Sequence, residues 1–141
     1  MVDHAAFAYA KRIGVKAESA LELVEKINVG LTYRSFEKLR KEMGLSAHEL
    51  GEIVQVAPRT LTRRKVAGRF RPDESDRLLR ASRVYGKALD LFEGDRQTAR
   101  TWLGTPKQAL SGKMPLELAV TEVGAREVEN LIGRLEHGVF A

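Results

Sequence analysis

The chain has no cysteine, which excludes disulfides, thiolate nucleophiles and cysteine metal ligands. Histidine occurs three times, at His4, His48 and His137. No two stand at the close spacing that would place them together on a helix, so no metal site is expected. There is no G-x-S-x-G, no P-loop and no G-x-G-x-x-G, and no nucleophile-base constellation is visible. The chain is therefore not expected to be an enzyme or to need a cofactor. No apolar run approaches the roughly 20 residues that span a bilayer. Asp3 stands early, with no long apolar core behind it, which argues against a secretory signal. The expectation is a cytoplasmic protein with no membrane association. Aromatic residues make up only 6% of the 141 positions, and Trp102 is the one tryptophan.

What is present is helical periodicity and unevenly placed charge. Period-2 alternation is scarce and apolar residues recur every three to four positions, so the fold class is all-α. At 141 residues such a chain buries about 70% of its unfolded surface, enough for a core. The net charge is +5. Residues 1–30 are neutral, residues 31–71 carry ten basic against four acidic groups, and residues 72–141 carry ten against eleven. The excess is confined to the middle, which points to a polyanionic partner at one patch.

The segment 17–27 reads as a helix with Leu21, Val24 and Ile27 on one stripe, broken at Asn28-Val29-Gly30. A helix over about 32–43 turns Phe36, Leu39 and Met43 inward, and Gly44 ends it. Ser46-Ala47-His48-Glu49 matches a capping box. It opens a short helix whose buried stripe is Leu50, Ile53 and Val54. Pro58 suits the first position of the next helix, which runs to about Val66 and stops at Gly68. A long helix follows over 73–92, with Leu78, Ala81, Tyr85, Ala88 or Leu89, and Phe92 on one face. Further helices are expected near 96–103, 106–111, 115–121 and 124–137. On the last, Val128, Leu131, Ile132 and Leu135 form the core stripe. The organisation is an N-terminal helical segment 1–30 of unassigned role, a helix-turn-helix region 31–72, a connecting helix 73–92 and a C-terminal domain 93–141. The wide apolar face of 73–92 serves either a homodimer or the chain's own core.

Residues 46–66 form helix, three-residue turn, helix, the arrangement whose second helix enters the major groove. With Leu61 inward, Arg59 and Arg63 face outward, flanked by Thr60 and Thr62. No carboxylate occurs from 53 to 72, whereas Arg59, Arg63, Arg64, Lys65, Arg69 and Arg71 do. Arginine reads guanine bidentately or clamps phosphate. Arg59, Thr60, Thr62, Arg63, Arg64, Lys65 and Arg69 are the candidate DNA contacts; the alternative is a solvated basic face. A single unit offers few contacts, so operator binding calls for a dimer.

The C-terminal region is punctuated by turns. It reads Ala99-x-x-Trp102-Leu103-x-x-Pro106, Leu110-x-Gly112-x-x-Pro115-Leu116, Thr121-x-x-Gly124, Val128, and Leu131-x-Gly133-Arg134-Leu135-Glu136-x-Gly138-Val139. This string resembles the toxin-binding domain of the Xre/MbcA/ParS antitoxins. Arg59-Thr60-Leu61-x-Arg63-Arg64 resembles the Xre-like helix-turn-helix of the same proteins. The similarity covers roughly 31–141, with Lys107 where the family often has Asn and Ser111 where it often has Gly. The resemblance implies a type II antitoxin with two tasks. Its C-terminal domain would bind a RES-domain toxin, an enzyme that depletes NAD⁺. Its N-terminal part would bind operator DNA and repress the shared operon, as a homodimer and within a larger toxin–antitoxin complex. The competing class is a stand-alone repressor whose C-terminal half dimerises or binds another protein.

Trp102 and Leu103 are expected in the core. The tail Val139-Phe140-Ala141 is either a frayed terminus or, as the resemblance favours, a plug for a partner's pocket. The candidate toxin contacts are therefore Arg134, Glu136, His137, Val139, Phe140 and Ala141.

Overall fold

The computed structural model describes residues 7–138. Within them the chain forms nine α-helices and no strand. They are α1 (Ala8–Arg12), α2 (Ala20–Val29), α3 (Tyr33–Met43), α4 (Ala47–Ile53), α5 (Pro58–Ala67), α6 (Pro72–Leu91), α7 (Arg96–Leu103), α8 (Pro115–Leu118) and α9 (Glu122–Glu136). Side-chain oxygens start several of them. Ser19, Thr32, Asp95 and Thr121 each accept an amide of the first turn, and Ser46 with Glu49 forms the full reciprocal box. Each satisfies a donor that the helix itself leaves unpaired. Gly44 adopts the left-handed conformation that ends α3.

Helix α6 is the axis of the molecule, packing against α1, α2, α3, α7 and α9. Its buried residues include Leu78, Leu79, Ala81, Val84, Tyr85, Ala88 and Leu89, so neighbours surround it on several sides. Its wide apolar face is thus spent on the chain's own core. Two fully buried serines tie down incoming segments: Ser75 Oγ accepts the Leu31 amide at 2.8 Å and Ser82 Oγ donates to the Tyr9 carbonyl at 2.7 Å. The C-terminal half reaches back in the same way. Tyr85 and Arg100 both donate to the Glu42 carbonyl at the end of α3, each at 2.9 Å. One buried cluster consequently runs from Ala10 to Ile132.

Three elements differ from expectation. Helix α2 buries Leu23, while Leu21 and Val24 are 76% and 48% exposed. Apolar residues occur on both faces of α2, and the face carrying Leu23 is the one that packs. The segment expected as a helix over 106–111 is only a 3-10 turn at Gln108–Leu110, closed by a left-handed Ser111 and Gly112. Helix α8 stops at Leu118 instead of 121, because Thr121 is already the cap of α9. Residues 7–30 gain a structural role: Ala10 and Ile13 are fully buried, and the Ile13 carbonyl accepts from Ser35 Oγ on α3 at 2.7 Å.

Candidate functional site

Helix α5 is held by few contacts. Leu61 is its one buried residue. Thr60 is half-buried, while Arg59, Thr62, Arg63, Lys65 and Val66 are exposed. Thr62 Oγ1 donates to the Pro58 carbonyl at 3.1 Å, and Arg63 Nη2 donates to Thr60 Oγ1 at 3.3 Å. Neither arginine of the outward pair has an acidic partner among the described residues. Standing four apart on one helix, Arg59 and Arg63 therefore repel each other by a few tenths of a kcal/mol.

Arg64 behaves differently from its neighbours. Its Nε and Nη2 donate to the two Glu74 oxygens at 2.7 and 3.0 Å. The pair is largely buried, with side-chain exposures of 14% and 8%. Burial pushes the Glu74 carboxyl up, but the Arg64 guanidinium and the Arg71 amide outweigh it and hold the group below the ordinary glutamate value. Glu74 lies just beyond the carboxylate-free stretch, and the fold carries it back onto α5. Arg69 fastens the exit of α5 by donating from Nη1 to the Gly30 carbonyl at 2.7 Å, although most of the residue is exposed. Arg77 Nε donates to the Val54 carbonyl at 2.6 Å, bracing the α4–α5 turn from α6.

At the other end, α9 lies along α6 with Val128 and Ile132 fully buried, Leu131 nearly so and Leu135 half-buried. Leu103 is buried, while Trp102 is only half-buried. The Trp102 ring packs on Phe92 with centroids 6.3 Å apart, and Lys107 Nζ sits 4.9 Å above it. Burial there lowers the Lys107 pKa. Arg134 is half-buried, and Glu136 and His137 are exposed at the end of α9. Val139, Phe140 and Ala141 lie outside the described residues.

Two family profiles match this chain. Residues 22–83 match the antitoxin Xre-like helix-turn-helix domain, and residues 87–138 match the antitoxin Xre/MbcA/ParS C-terminal toxin-binding domain. The Antitoxin Xre of Yersinia enterocolitica is 40% identical over 132 residues, covering 93% of this chain and 89% of that protein. The chain belongs to the Xre/MbcA/ParS antitoxin family. The Antitoxin Xre of Photorhabdus laumondii is 34% identical over 132 residues, with the same coverage of 93% and 89%. A chain of the crystal structure of the Mycobacterium tuberculosis MbcT–MbcA toxin–antitoxin complex superposes with a TM-score of 0.59 at 26% identity. The match covers 74% of the present chain and 93% of that one.

In this antitoxin the two matched regions are joined by an ionic clasp that periodicity did not single out. Arg80 and Arg83 on α6 both reach Glu122 on α9, at 3.0 and 3.1 Å. Arg83 and Lys87 both reach Glu129, at 2.8 Å each. Burial raises the Glu129 carboxyl, but Arg83 and Lys87 outweigh it and hold the group below its ordinary value. The signal was present as basic residues three and four apart on α6 and carboxylates seven apart on α9. Matching the two rows requires knowing that the helices are neighbours. No group of three His, Cys, Asp or Glu side chains among the described residues is placed to hold a metal ion, and no described helix is long and apolar enough to cross a membrane.

Proposed function

We propose that this antitoxin neutralises a RES-type, NAD⁺-depleting toxin through its C-terminal region and represses its own operon through α5. The division of labour follows residues 31–72 for DNA, 73–92 as connection and 93–141 for the toxin. The observation that carries the DNA half is the outward row of Arg59, Arg63 and Lys65, with Thr60 and Thr62 between them, on a helix that buries only Leu61. An unpaired cationic row on the second helix of a helix-turn-helix is the chemistry that reads phosphates and guanine edges. Arg69 joins the row from the helix exit. Arg64 acts through Glu74 as a positioning residue that orients α5 instead of as a base contact. Operator half-sites about 34 Å apart require two copies. Since α6 is spent on the core, the homodimer must form elsewhere.

On the toxin side, Arg134, Glu136 and His137 close α9 beside the tail Val139-Phe140-Ala141, which we propose as the segment that enters the toxin. Co-expression with the product of the adjacent gene tests both halves. The reading expects a copurifying complex, rescue of growth and a gel shift of the chain's own promoter fragment. With about four phosphate contacts, the log–log salt slope should lie near −3 to −4. Removing residues 138–141 should abolish rescue while leaving helical content intact. A chain that shifts the promoter but neither binds nor rescues would instead be a stand-alone repressor.

A further inference from the structure

Four glycines lie inside helices, and at three of them an added side chain would meet a close neighbour, with backbone that cannot give way at Gly124. A Cβ on Gly124 would overlap the Leu118 carbonyl oxygen, one on Gly86 would come within 2.9 Å of Arg12 Nη1, and one on Gly51 within 3.1 Å of the Val56 carbonyl oxygen. Gly133, in the interior of α9, is the exception: a Cβ there meets nothing within 4 Å. Its φ is not positive, so the backbone does not demand glycine either. Glycine is disfavoured against alanine in a helix interior, and nothing described within the chain offsets that disadvantage.

Gly133 also lies on the outward side of α9. Taking Val128 as inward, the 100° advance per residue places Arg126, Asn130, Gly133 and His137 within about 40° of the opposite direction. Arg126, Asn130 and His137 are exposed. The neighbouring Arg134 has its Nε buried with no hydrogen-bond partner among the described residues, where buried donors are ordinarily paired.

We infer that the outward face of α9 around Gly133 is a docking surface for the toxin, and that the missing side chain forms a notch where the toxin's backbone packs directly on the helix. The occupant follows from position: α9 lies wholly inside the segment matched by the toxin-binding domain. The inference rests on the proposed neutralising role and names a surface on the helix itself, separate from the tail.

The test compares wild-type antitoxin, Gly133→Ala, Gly133→Leu and the remote control Glu25→Ala on α2, each as full chain, by thermal melting and by titration against the product of the adjacent gene. Gly133→Ala should raise the Tm of the free antitoxin by about 2–5 °C while weakening toxin binding at least about tenfold. Gly133→Leu should weaken binding further, and Glu25→Ala should leave it unchanged. Wild-type affinity in both Gly133 variants overturns the notch and leaves the neutralising role standing. A Gly133→Ala protein that melts below wild type overturns it as well, since the glycine would then serve the fold. Failure of wild-type antitoxin to bind overturns the neutralising role and this inference together.

Discussion

Helix α5, which we propose as the DNA-contacting helix, and helix α9, which closes the segment matched by the toxin-binding domain, are built on opposite principles. Helix α5 buries one residue, Leu61, and takes its orientation from an ion pair at its edge. Helix α9 buries Gly124, Ala125, Val128, Leu131 and Ile132 and adds the ionic clasp on top of that packing. Burying a large aliphatic side chain contributes roughly 1.5–3 kcal/mol, so α9 is fixed many times over and α5 barely. A groove-reading helix must spend its surface on the ligand, which leaves few side chains to hold it in place. The Arg64–Glu74 pair supplies what packing cannot: a directional contact, anchored on the same long helix that carries α9.

Damage to the well-packed side should have the largest effect. Ile132→Ala removes a fully buried side chain and should destabilise the chain by about 2–5 kcal/mol. Because one buried cluster spans both halves, chemical denaturation should still show a single transition with α5 lost in it. Two separated transitions would mean that the halves fold independently. Next in size is Glu74→Ala, which strands Arg64. For a pair at the edge of the core the expected cost is about 3 kcal/mol, the low end for buried pairs, seen as a lower denaturation midpoint. It should also weaken promoter binding without touching any residue proposed to face DNA. Acid probes the same contacts. Glu74 and Glu129 are held below the ordinary glutamate value, so the folded state favours the ionised form. The stability they contribute is complete above the unfolded value near 4.3 and is lost as pH falls through the lower folded values. Midpoints should therefore be flat from pH 7 to about 5 and fall below that. Glu74→Gln should blunt the fall.

Local pattern made much of this legible in the sequence. Phe36, Leu39 and Met43 stand inward as their spacing implies, the Ser46–Glu49 box forms as written, and the carboxylate-free stretch marks the basic face of α5. What stayed hidden depended on partners distant in the chain. Arg64 is indistinguishable from Arg63 until the fold places Glu74 against it. Leu21 and Val24 share a helical stripe with a partly buried Ile27, yet only α6 decides that α2 turns the Leu23 side inward. Ser111 and Gly112 both adopt positive φ, which cuts the segment over 106–111 down to a turn.

The α5 side is then tested by Arg63→Ala, which alters an exposed residue of the outward row and little else. Promoter affinity should fall about tenfold, with a salt slope shallower by about 1 if the contact is to phosphate, or with relaxed preference at one base pair if it reads guanine. Thermal stability should stay within about 0.5 kcal/mol, because Arg63 meets only Thr60 across 3.3 Å. A large loss of stability would place Arg63 in the fold and remove the contrast with Arg64.

The smallest expected effect lies on α9, where charge is redundant. Arg126 approaches Glu122 at 3.3 Å with 74% of its side chain exposed, whereas Glu122 is also held by Arg80 and Arg83. Exposed pairs of this kind contribute about 0–1 kcal/mol. Arg126→Ala should therefore leave the denaturation midpoint almost unchanged, and promoter affinity with it. Arg126 also lies on the outward face with Gly133, so its loss should register in toxin binding before it registers in stability. Were Arg126→Ala to cost as much stability as Glu74→Ala, the clasp would be holding α9 in place. Packing would then no longer distinguish α9 from α5.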